Sequence, residues 1–189
     1  MSFKDSLTKS LEDRPVVEWK RAPEVLLLPQ IPKPLHGVAP RVVLGSTWWN
    51  KIRQETYKST NLHCIACGVH KTRAKGPKHL EAHEIYRTVY EVFRLYFVRV
   101  VPLCNFCHSY IHCGRLQALL DQNKITQRKF VSVIQHGDRV LANAGLVKTQ
   151  VVEESFEKDW GKWRLVLGRK MYKPKFRSFE EWKTHFGRE

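Results

Sequence analysis

Long hydrophobic runs are missing from this chain of 189 residues. No stretch approaches the roughly 20 uninterrupted apolar residues needed to cross a bilayer, and Met1 to Glu12 lacks the apolar core of a signal peptide. The sequence therefore predicts no membrane partner and retention where the chain is made, a reducing cytoplasm. Internal repeats and low-complexity tracts are also absent, which excludes solenoids and mainly disordered architectures. Acidic residues are scarce: 18 Asp and Glu stand against 33 Lys and Arg, a formal net charge of +15. An excess of that size points to a polyanionic partner, nucleic acid before anionic membrane. The remaining composition, 42% hydrophobic and 27% charged with mean hydropathy -0.43, is that of a globular protein with a real core.

Proline and aromatic residues divide the chain. Six prolines between Pro15 and Pro40 each remove a backbone donor and fix φ, so residues 1–44 read as a Pro-rich amino-terminal arm without long helix or central strand. Within it, Val25 to Leu28 reads as an extended segment packed on the body. Ser46 is placed to cap a helix that starts at Thr47 or Trp48, aligns Trp48, Ile52 and Thr56 on one face, and ends near Ser59. Trp48 and Trp49 read as packing residues, with Lys51 and Arg53 on the wet face. Leu80 to Tyr86 and Phe93 to Val101, rich in branched and aromatic residues, suit two antiparallel strands. Ser109 to Asp121 carries helical spacings, and Thr126 caps a further helix through Ala144 that Gly145 closes. Residues 45–146 thus form a central domain and residues 147–189 a basic, aromatic extension. From Ser155 to Glu189 that extension holds ten Lys or Arg against five Asp or Glu. Its aromatic rings suit stacking on bases, but at this density most are expected to pack on the body.

Cysteine is sparse, and four of the five are paired in C-x-x-C turns: Cys64 and Cys67, then Cys104 and Cys107 after a spacer of 36 residues. Each turn aims two sulfurs at one point about 2.3 Å away, so the four thiolates suit a structural Zn2+. Cys113 lies outside the pattern and reads as a small bystander thiol. A second cluster combines His83 and Glu84 on the first strand with His108 and His112, four residues apart in a predicted helix. Imidazoles at i and i+4 face the same way, and His83 adds a third nitrogen from the hairpin. Three protein ligands leave a position open on a divalent ion, the arrangement that phosphodiester hydrolysis uses. Lys71, Arg73, Lys75 and Lys78 in the loop before the first strand are candidate phosphate contacts. His63, His70, His79, His136 and His185 receive no role.

The ordered set of C-x-x-C, Leu80-Glu-Ala-His-Glu-Ile-Tyr86 and Val101-Pro-Leu-Cys-Asn-Phe-Cys-His-Ser-Tyr-Ile-His112 resembles the HNH (His-Asn-His, ββα-metal) endonucleases, in the subgroup stapled by a four-cysteine zinc. The resemblance covers about Trp48 to Leu120. It implies an α+β fold with a ββα-metal core, a structural Zn2+, and a catalytic Mg2+, Mn2+ or Zn2+ held by His83, His108 and His112. It also implies a metal-dependent DNA endonuclease or nickase. The family's general-base histidine falls on Glu84 and its central asparagine on Arg99. A carboxylate is a weak base unless burial raises its pKa. Arginine cannot orient the base as an asparagine carbonyl does, but it can grip the scissile phosphate. A shifted register would give the work to His79 or Glu81. DNA is the expected partner ahead of RNA, and the resemblance places such proteins among phage or mobile-element products acting in a host cytoplasm. The rival expectation is a cleavage-deficient relative that keeps the fold and zinc and binds nucleic acid or a protein partner within a larger assembly.

Overall fold

The computed structural model describes residues 18–148 and 159–186, and over these the chain is mixed α+β. The described part of the arm carries a 3-10 turn over Pro23–Leu27 and another over Lys33–Leu35. Val25 to Leu28 is therefore not extended: Pro23 presets a helical φ at the first position of the turn, which buries Val25 and Leu26. A one-turn helix α1 (Pro40–Val43) runs into α2 (Gly45–Lys58). Ser46 does not cap α2. The cap is Leu44 without a side-chain bond, because α1 already delivers the chain in helical geometry and Gly45, at φ +82°, supplies the swivel between the two.

The hairpin joins β1 (Leu80–Val89) to β2 (Arg94–Cys104) through a 3-10 turn over Tyr90–Val92, each strand running three residues further at its carboxy-terminal end than the branched runs predict. The register pairs Leu80 with Cys104, Glu81 with Leu103, His83 with Val101 and Glu84 with Val100, and it slips between Ile85 and Tyr86. Helix α3 (Asn105–Ile111) follows β2 without a linker, and α4 (Cys113–Asp121) follows after a break at His112, whose ψ is 46°. The single helix expected from Ser109 to Asp121 is thus two. The segment has no proline, and its weakest helix former, Gly114, sits just past the break. Helix α5 (Gln127–Ala142) begins as expected, with the Thr126 hydroxyl accepting from the Lys129 amide at 3.2 Å. It is closed by Gly145 at φ +68°.

The described part of the carboxy-terminal stretch extends the same sheet. Strand β3 (Arg164–Leu167) lies parallel to β2, β4 (Lys170–Tyr172) is antiparallel to β3, and the strand order is β1-β2-β3-β4. Helix α6 (Phe179–Phe186) then packs on the arm, where the Trp182 indole donates to His36 Nδ1 at 3.2 Å. Two apolar clusters result. The larger joins Val25 and Leu26 to the hairpin base (Leu80, Val101, Leu103) and to Phe106, Tyr110, Val133 and Leu141 of the helices. The smaller gathers Leu35, Val38, Leu95, Trp163 and Leu165. Trp160, Trp163 and Phe176 are buried, as the aromatic density of the extension predicts. Among the described residues no helix is long and apolar enough to cross a membrane.

Helices α3 and α5 cross at Gly137, where an added Cβ would lie 2.1 Å from Tyr110 Cδ2. Tyr110 is fully buried and its hydroxyl donates to Asp138 at 2.8 Å, so the ring has nowhere to go. Gly137→Ala is expected to destabilise the fold by about 1 to 3 kcal/mol. Gly114→Ala, whose Cβ meets nothing within 4 Å, is expected to be neutral or stabilising by up to about 1 kcal/mol. Urea denaturation of the two variants checks the contrast.

Candidate metal centres

The first C-x-x-C lies in the knuckle before the basic loop, and the second spans the junction of β2 and α3. Cys104 is the last residue of β2 and Cys107 lies in the first turn of α3. The knuckle is folded onto the hairpin by the Ile65 amide, which donates to the Pro102 carbonyl at 2.9 Å, and is closed by the Gly68 amide on the Cys64 carbonyl. Arg21 donates to the Ala66 carbonyl from outside. These bonds bring Cys64, Cys67, Cys104 and Cys107 together, with all four sulfurs within 4.8 Å of one another. The Cys67 and Cys104 Sγ atoms are 3.7 Å apart. A tetrahedron of sulfurs around a zinc ion has edges of about 3.8 Å, so the donor set fits that ion. Contacts among the four thiols split them, Cys64 and Cys104 falling below the ordinary range and Cys67 and Cys107 rising above it, as sulfurs sharing protons at close range do. Cys113 is outside the group, near Lys148 Nζ, as expected of a bystander. His136 was not expected to take part. From α5 its Nε2 lies 3.4 Å from Cys107 Sγ, where an N–H donor would relieve thiolate charge. No spacing signal links two residues 29 positions apart on different helices.

One position beyond Cys107, the second group begins. Helix α3 carries His108 over the hairpin, the break at its end turns His112 back, and His83 rises from β1 opposite Val101. The ring centroids are 5.3 Å apart for His83 and His108, 5.0 Å for His83 and His112, and 4.7 Å for His108 and His112. One nitrogen of each lies within 4.8 Å of the others. Burial keeps the first and last of these neutral: desolvation depresses His83 to about 3 and His112 to about 4. Three imidazoles facing one point, two of them kept neutral by burial, have the donor chemistry a divalent ion needs, so this group too is positioned to hold a metal.

Glu81 and Asn105 orient the centre. His108 Nδ1 donates to Glu81 Oε2 at 2.5 Å, and the Asn105 amide donates to Glu81 Oε1 at 2.7 Å. The bond from His108 holds the Glu81 carboxyl down at about 2. It also fixes the His108 tautomer, leaving Nε2 for a metal, the carboxylate-histidine arrangement of many metal sites. Glu81 is thus engaged as an orienting group. Residues i and i+2 of a strand share a face, so the sequence already put Glu81 beside His83, but only the fold brings Asn105 to it.

Glu84 is not among the converging ligand atoms. Strand alternation turns it away from His83, and it is buried against α1, where the Arg41 Nη1 donates to Glu84 Oε2 at 3.3 Å. Its Oε1 is buried without a hydrogen bond, and desolvation raises the carboxyl above its ordinary value. Arg41 had no sequence signal. Its charge also disfavours protonation of His83 and His112, after the larger effect of burial. Arg99 is exposed on β2 opposite Ile85, on the strand face that carries His83. The basic loop keeps Arg73, Lys75 and Lys78 exposed, Lys71 half-buried in a 3-10 turn, and Lys78 Nζ on the Ala74 carbonyl at 2.7 Å. Its Gly76 lies beside the Asn105 side chain, so the loop borders the histidine group.

Cys104→Ser is expected to lose the sulfur-bound ion and to lower the unfolding temperature, read by elemental analysis and thermal denaturation. Glu81→Gln is expected to leave that ion in place while weakening metal binding at the histidines about 10- to 100-fold, read by calorimetric titration.

Comparison with models of known families, with curated proteins and with solved structures finds no significant match to this chain.

Proposed function

We propose that this chain is an HNH-type, metal-dependent endonuclease or nickase that hydrolyses phosphodiester bonds in DNA, built on a ββα-metal core with a structural zinc in the four-cysteine shell. The observation that carries the reading is the convergence of His83, His108 and His112 where an antiparallel hairpin runs directly into a helix. Mg2+, Mn2+ or Zn2+ held there would neutralise charge on the scissile phosphate and stabilise the leaving oxygen. The chain's own residues supply the rest. Glu81, steadied by Asn105, holds the His108 ring in one tautomer. Glu84 accepts the proton of the attacking water, its basicity strengthened by burial. Arg41 holds that carboxylate, and Arg99 binds the phosphate from the exposed face of β2. Lys71, Arg73, Lys75 and Lys78 add salt-dependent grip on the backbone next to the site.

The engagement of Glu84 with Arg41, away from the three nitrogens, favours a second reading: a module that binds metal and nucleic acid but does not cut. Supercoiled plasmid incubated with the protein and each divalent ion separates the two. Nicking that disappears in His83→Ala and falls about 10^2- to 10^4-fold in Glu84→Gln is the expected outcome. Salt-sensitive DNA binding without a cut product at any metal would leave the binding module.

A further inference from the structure

Trp48 and Trp49 were expected to pack, and among the described residues neither belongs to either apolar cluster. Helix α2 buries one side chain, Thr56, and leaves both indoles half-buried. They form a row rather than a core. Trp48 meets Phe97 of β2 edge-on at 6.1 Å, Trp49 lies beside Trp48 at 6.2 Å, and the Arg41 guanidinium stands 5.8 Å from the Trp49 ring. The same Arg41, with its side chain 52% exposed, touches Glu84. Arg41 thus links the aromatic surface to Glu84, the residue that follows His83 on β1. Lys51 and Arg99 are exposed on the two elements that carry the row. The Glu84 contact engages one of the five guanidinium donors of Arg41, so others remain for a phosphate oxygen.

We infer that Trp49 and Arg41 form a nucleotide subsite for unpaired DNA beside the histidine centre, the indole stacking on a base and the guanidinium binding the adjoining phosphate. The inference deepens the reading of the histidine centre as a site of phosphodiester chemistry and rests on it for the position of the strand. Three features select this occupant. The row is apolar but flanked by cations, as a polyanion requires. A free base face is what a half-exposed ring stacks on, and a paired base in a duplex has none. The net charge of +15 supplies the long-range attraction.

The test is fluorescence anisotropy with a labelled 15-nucleotide oligothymidylate and, separately, a duplex of the same length. It uses the full chain carrying His83→Ala so that the probes stay uncut. Trp49→Ala is expected to weaken oligothymidylate binding about tenfold, with Trp49→Phe recovering most of the loss because a ring is still present. Duplex affinity is expected to change little. Arg41→Gln is expected to weaken binding and to lower the slope of log affinity against log salt by about one. Unchanged oligothymidylate affinity in Trp49→Ala overturns the subsite and leaves the row to a protein partner. A loss that Phe does not restore, or an equal loss for duplex, also overturns it, because either marks a change of fold rather than stacking. Since binding is read without cleavage, absence of plasmid nicking alongside the expected pattern sinks the hydrolytic reading alone.

Discussion

The clamp of Cys64 and Cys67 against Cys104 and Cys107 fixes the geometry on which the rest of the structure depends. Its second half is not a loop but the junction of β2 and α3, so the sulfurs set the angle at which the helix leaves the hairpin. Cys107 and His108 are consecutive, which makes the inner edge of the sulfur shell the outer edge of the imidazole group. The clamp is reinforced from both sides, by the Ile65 amide on Pro102 and by the His136 ring against Cys107. The junction is also well packed, with Leu103, Phe106 and Tyr110 buried around it in the larger apolar cluster.

The two groups differ in the work they suit. Four sulfurs in a tetrahedron complete a coordination shell and leave no place for substrate, whereas three imidazoles leave one open. Burial keeps His83 and His112 neutral, the state in which a ring nitrogen has a lone pair to give. The Glu81 carboxylate serves the centre through His108, and Asn105 holds it there. On the other face of β1 the same desolvation raises Glu84, and Arg41 offsets part of that cost. One strand therefore carries Glu81 and His83 on the face of the histidine group and the buried Glu84 on the other, sorted by the alternation of its side chains.

The elements that were legible before the fold was known are those governed by local rules. Thr126 and Gly145 bracket α5 because a hydroxyl cap and a left-handed glycine act on their own backbone neighbours. The branched runs gave the hairpin, although β1 and β2 extend beyond them by pairing with each other. The misread elements are those in which a distant contact or a neighbouring element takes over. Ser46 looks like a cap, but α1 precedes it and makes one unnecessary. Ser109 to Asp121 looks like one helix, but it breaks at His112, the residue that turns back toward His83. Trp48 and Trp49 have the composition of core residues, and nothing local says that they would stop half-buried rather than enter either apolar cluster.

By itself the sequence determined the two donor sets, since the C-x-x-C spacing and the four-residue histidine interval are properties of short backbone segments. It also determined the excess of positive charge and the mixed α+β character. Tertiary structure alone decided which groups stand behind those donors: Glu81 and Asn105 on His108, His136 on Cys107, Arg41 on Glu84. These partners come from elements 24 to 43 residues apart in the chain. The physical reason is that coordination spacing is set by a turn or two of backbone, while the charge and orientation of each ligand are set by whichever element packs against it.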